Sequence, residues 1–127
     1  MRMQGKTLIL GLAILLLLAS GVLAQPKMLR LDGTLWVGMP LGEKMAYIVG
    51  VGNMAAYETA SGGSGRAACI SRSFVDELKS KTTDQIVAEV DKFYKEKQDN
   101  LKMPVIDVVL RQCTKLCPPE APATVKK

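Results

Sequence analysis

Three cysteines, twelve carboxylates and no histidine bound the chemistry open to this chain. Without an imidazole there is no Ser-His-Asp or Cys-His nucleophile pair, and the usual ligand set for most transition metals is missing. Cys113 and Cys117 form C-x₃-C with no third or fourth ligand nearby, a pattern that suits a disulfide or a packed thiol better than zinc. Cys113, left as a thiol, has no base beside it to activate it. Glu89 and Asp91 stand two apart in a helical stretch and so point apart, and Asp107 falls off the apolar stripe of its own segment. Acid–base catalysis needs titratable groups that converge. The expectation is a protein that is not an enzyme and holds neither cofactor nor metal.

Two other patterns have bland readings. Ser61-Gly62-Gly63-Ser64-Gly65 is glycine-rich, but a phosphate cradle follows a strand and leads into Lys-Ser or Lys-Thr. Here a helical stretch precedes it and Arg66-Ala67 follows. We read it as a flexible loop and, together with Arg66, as the candidate partner-contact element. Lys92, Lys95 and Lys97 are interrupted by Glu96 and Asp99, which describes a solvated helix face and not a nucleic-acid stripe.

These residues sit in a chain of 127, about one domain by length. Its first 24 residues have the three parts of a secretory signal. Arg2 and Lys6 supply the positive end, Thr7 to Leu18 is uncharged and apolar, and Val22-Leu23-Ala24 is a small-residue exit. The expectation is cleavage between Ala24 and Gln25, a periplasmic or secreted product, and contact with membrane only through the signal before it is cut. Loss of Arg2 and Lys6 takes the formal net charge from +5 to +3. An oxidising compartment favours one disulfide among Cys69, Cys113 and Cys117.

The mature part reads as helical. Gln25 to Met39 has no sustained period and suggests an extended arm with a turn, in which Trp36 is a core plug. Pro40 opens a helix that reaches about Ala60, with Leu41, Met45, Ile48, Val49, Gly52, Ala55, Ala56 and Thr59 on one face. Gly50 and Gly52 within it suggest close approach of another helix. A short helix follows over Ser73–Ser80. Thr82 with Gln85 predicts a capping box for a helix to about Lys97. Pro104 opens the last helix, with Val105, Ile106, Val109, Leu110, Cys113 and Leu116 on its apolar face, and Pro118-Pro119 stops it. The expected fold is all-α: a small bundle of about four helices tied by one disulfide, with domain limits 25–117 and a disordered tail from 118 to 127.

Pairing is open on residue grounds. Cys113 and Cys117 are one helical turn apart, where side-chain directions suit a bridge poorly. A bridge from Cys69 closes a loop of about 48 residues and constrains far more of the unfolded chain. Cys113 shares the apolar stripe, which suits a buried thiol, whereas Cys117 lies at a fraying helix end that can bend toward a partner.

Taken in order, several motifs resemble the Rap1a/Tai family of bacterial immunity proteins. They are Trp36, Lys44, Tyr47 and Gly50 as W-x₇-K-x₂-Y-x₂-G, then Cys69-Ile70, then Thr83-x-Gln85-Ile86 with Val90-Asp91-Lys92-Phe93-Tyr94. Met103-Pro104-Val105-Ile106, Leu110 and Cys117-Pro118 complete the set. The resemblance spans Leu35 to Cys117. It implies a small exported helical protein, often dimeric, that binds a peptidoglycan amidase effector of type VI secretion and inhibits it by occluding the active site. It also implies that the last cysteine, beside a proline, is the one that pairs with Cys69. The chain departs from the pattern at Ser71, where the family has a proline, and at the additional Cys113. The rival expectation is a periplasmic chaperone or envelope adaptor, to which the chain's seven methionines, two of them in the signal, would lend adaptable contacts.

Overall fold

A computed structural model describes residues 30–120. The segment expected to be a signal, its expected cleavage site and the end of the tail lie outside the described residues. Within them the chain forms α1 (Gly33–Trp36), α2 (Leu41–Ala60), α3 (Gly65–Ser80), α4 (Thr83–Glu96), a 3₁₀ turn (Gln98–Lys102), α5 (Val105–Val109) and α6 (Arg111–Leu116). No strand occurs among the described residues; one isolated bridge joins Asp32 to Pro104. The all-α bundle is as expected, and Pro118 to Glu120 follow α6 without regular structure.

Three segments differ from their sequence reading, each for a local reason. The stretch expected to be an extended arm contains α1. Asp32 caps it, its carboxylate accepting the Thr34 N–H at 2.9 Å and the Leu35 N–H at 3.3 Å. Helix α3 begins at Gly65, two turns before the expected Ser73. Ala67 and Ala68 are strong helix formers, and Ser71 leaves the helix intact where a proline would cost about 3 kcal/mol. The last helix breaks at Leu110, whose φ of −90° and ψ of 3° separate α5 from α6. Val105, Ile106, Val108 and Val109 crowd α5 with β-branched side chains that weaken a longer helix. The break turns Val108 and Cys113 inward and leaves Leu116 75% exposed, against the expected stripe.

Elsewhere the reading holds. Pro40 caps α2, and Gln85 Oε1 accepts the Thr82 N–H at 2.9 Å at the start of α4. Trp36 is fully buried, with Tyr47 edge-on to its ring at 5.9 Å. Around it pack Ile48 of α2, Phe74 of α3, Val87, Val90 and Tyr94 of α4, and Val105 and Val109 of α5. Gly33 lies so close to Leu101 that a Cβ there would stand 2.8 Å from the Leu101 Cα. The disulfide joins Cys69 to Cys117, Cα to Cα 5.9 Å, and fastens α3 to the end of α6. Cys113 is free and buried.

Candidate functional site

Among the described residues, two groups of titratable side chains join helices. Lys44 of α2 is 8% exposed, and its Nζ donates to Asp91 Oδ1 at 2.9 Å. The Trp36 Nε1–H donates to the same oxygen at 2.7 Å, and the Lys44 ammonium lies 5.5 Å from the centre of the Trp36 ring. One carboxylate thus joins α1, α2 and α4. Lys81 holds Glu77 and Glu89, each at 2.8 Å, which raises the Lys81 pKa through the hydrogen bond to Glu77 first and that to Glu89 second. Cys113 donates to Glu77 Oε2 at 3.4 Å. Burial and then the Glu77 carboxylate push the Cys113 thiol up to about 12, far from the thiolate range that nucleophilic attack needs.

The candidate contact element divides. Ser61, Gly62 and Ser64 are exposed, and Gly62 turns the chain at a φ of +73°, a conformation open to glycine. Gly63 is half-buried: its N–H donates to the Glu58 carbonyl, and its carbonyl accepts from Arg72. Gly65 and Arg66, expected in the loop, belong to α3. Arg66 reaches away from the loop toward the Thr114 carbonyl at 3.5 Å, so it braces α3 against α6.

A larger feature lies along α2. Tyr47, Val51 and Met54 form one wall of an apolar groove of about 470 Å³, and Gly50 opens its floor. Ile106 of α5 and Leu110 at its end form the opposite wall, and Ser71 of α3 closes one end. At that end the Ser71 hydroxyl donates to the Glu58 carboxylate in a short hydrogen bond. At the other end Asp107 stands near enough to Tyr47 to add to the effect of burial, which raises the Tyr47 hydroxyl pKa. Met54 in that wall is 66% exposed, Tyr57 beyond it is 68% exposed, and Val49 is exposed on the other side of α2, beside Val75 and Leu78. The arrangement has recognition chemistry: an apolar trough, an oriented carboxylate at its end, and exposed large side chains beside it.

Residue reading missed this groove although its signal is present. From Met45 to Tyr57 no residue is charged. A helix apolar all round is ordinarily buried on every side, yet α2 is covered on one side only. The expected close approach across the glycines holds at Gly52, where a Cβ would stand 2.7 Å from Leu78 Cδ1. It does not hold at Gly50, whose Cβ would meet nothing within 4 Å. No protein-family model, characterised protein or solved structure matches this chain.

Proposed function

We propose that this chain is an exported, non-catalytic helical binding protein that caps the active site of a peptidoglycan amidase, as its resemblance to the Rap1a/Tai family implies. The carrying observation is the unpartnered flank of α2, with Met54 and Tyr57 exposed along an apolar groove. Large side chains in such a patch mark interaction surfaces in soluble proteins. The frame behind it is braced: the Lys44–Asp91 pair ties α2 to α4, and the disulfide ties α3 to the end of α6. Occlusion needs a preformed surface of this kind and no reactive group. The exposed turn at Ser61 and Gly62 continues the flank beyond the C-terminus of α2.

The exposed Met54 supports a second reading, an envelope chaperone or adaptor, since methionine suits variable contacts. One experiment separates the two. The protein beginning at Gln25 is used to capture partners from periplasmic extract, and any captured hydrolase is purified and titrated. The immunity reading expects one hydrolase, inhibited at equal stoichiometry, with Tyr57→Asp relieving inhibition while the melting temperature holds. Many substoichiometric clients and no inhibited hydrolase would reject it in favour of the adaptor.

A further inference from the structure

We propose that the groove between α2 and α5 docks an amphipathic helix of the partner that is apolar at its centre and basic at both ends. The proposal rests on the binding reading above and adds the chemistry of the occupant. Glu43, Tyr47, Gly50, Val51, Met54 and Glu58 recur at helical spacing and share one face of α2. The uncharged centre of that face is therefore bounded by a carboxylate at each end, about 22 Å apart at the α-helical rise. Neither Glu43 nor Glu58 has a cation within ion-pair distance among the described residues; Glu58 accepts only from the Ser71 hydroxyl. Arg72, next to Ser71 in sequence, is turned to the Gly63 carbonyl instead. In a chain of net positive charge, this trough is apolar with uncompensated negative ends.

That charge pattern selects the occupant. A second copy laid antiparallel on the same face would set Glu43 against the partner's Glu58, and a parallel copy would set each acid against itself. Both arrangements place like charges in contact, which opposes association. A foreign helix with basic residues near both ends meets two unpaired acids, and its apolar centre meets Tyr47, Val51 and Met54. The exposed Gly50 lets that helix approach the α2 backbone closely.

The test uses the protein from Gln25 to Lys127 and two designed 18-residue helical peptides. Both carry leucines at helical spacing in the centre. One has lysines near each end and its twin has glutamates there. Calorimetric titration is expected to show the lysine peptide binding about 10-fold tighter or more, the scale of two modest charge pairs. Glu43→Lys with Glu58→Lys should reverse the preference, and Glu58→Gln, the milder change, should shrink it. Gly50→Leu, which fills the trough from an open position, should weaken both peptides without lowering the melting temperature. Equal affinity for the two peptides overturns the proposal. So does a dimer that Gly50→Leu dissolves, because the occupant is then a second copy. If an amidase is captured and inhibited but Gly50→Leu leaves inhibition intact, this inference fails while the proposed function stands. If the peptides discriminate and no hydrolase is found, the converse holds.

Discussion

Removing Asp91 should harm the protein more than removing Asp91 and Lys44 together. Among the described residues the Asp91 carboxylate is the acceptor for both the Lys44 ammonium and the Trp36 indole N–H. Asp91→Ala strands a cation whose side chain is 10% exposed, and stranding a buried charge costs about 3–5 kcal/mol. The Trp36 face stays in place 5.5 Å away and offsets part of this, about 1 kcal/mol. The unpaired indole N–H adds roughly 1 kcal/mol. The two smaller contributions cancel, and the expected loss for Asp91→Ala is about 4 kcal/mol, the middle of that range. Lys44→Met keeps the aliphatic stem and leaves Asp91, 27% exposed, with water and the indole as partners, at a cost of about 1 kcal/mol. The double variant has no stranded charge and should lose about 2 kcal/mol, for the indole and the vacated space. Adding Lys44→Met to Asp91→Ala should therefore restore about 2 kcal/mol, near 10 °C of melting temperature for a domain of this length. Urea unfolding of the four proteins, followed by Trp36 emission and by circular dichroism, reads the cycle. Strictly additive losses, or an Asp91→Ala loss below about 1 kcal/mol, would refute the reasoning that this pair is desolvated.

Other expectations follow from neighbouring features. Cys117→Ser opens a 48-residue loop and should cost about 4 kcal/mol in the chain-entropy view, whereas Cys113→Ser keeps a donor toward Glu77 and should cost about 1 kcal/mol; thermal melts of both variants decide this. The Cys113 thiol, raised to about 12 from its ordinary 9, favours the folded state below pH 9, and that contribution is lost as pH climbs from 9 to 12. Urea midpoints measured from pH 7 to 11 should fall above pH 9, and less steeply in Cys113→Ala, while a thiol reagent at pH 8 should label Cys113 only on unfolding. Gly50→Ala should stabilise by up to about 1 kcal/mol through helix propensity. Gly33→Ala should destabilise by about 1–3 kcal/mol, because its Cβ meets the Leu101 backbone, and melting temperatures of the two should move in opposite directions.

What was legible in the sequence followed from local rules. Trp36 was readable as a core plug because a lone tryptophan rarely stays in water. The start of α4 was readable because Thr82 and Gln85 carry their own geometry. The limits of α2 were readable because Pro40 and the Ser61–Gly62 turn punctuate them. Lys44 and Asp91 were not, since their meeting spans 47 residues and Asp91 sits in a run of charges that resembles a solvated face. The first two turns of α3 were hidden because Ala67, Ala68 and Ser71 present no large apolar residues to mark a period. The candidate contact element is partly legible as structure: Ser61 to Ser64 lie outside the helices as read, while Gly65 and Arg66 belong to α3. The groove was missed because an apolar residue on a helix does not disclose which side a neighbour covers.

The Val105 N–H donates to the Leu31 carbonyl at 2.9 Å, and Asp32 bridges Pro104, so the beginning of the described chain closes against the start of α5. Trp36 needs Asp91, 55 residues further on, before its indole is satisfied. Long-range closures of this kind come late, because loop entropy must be met before the contact rewards it. During synthesis the first third of the domain therefore has nowhere to lodge its tryptophan until α4 and α5 have left the ribosome. Under the export proposed above this delay is an asset, since a chain that cannot close early remains threadable. The covalent lock comes last of all, because Cys117 follows every helix of the described residues.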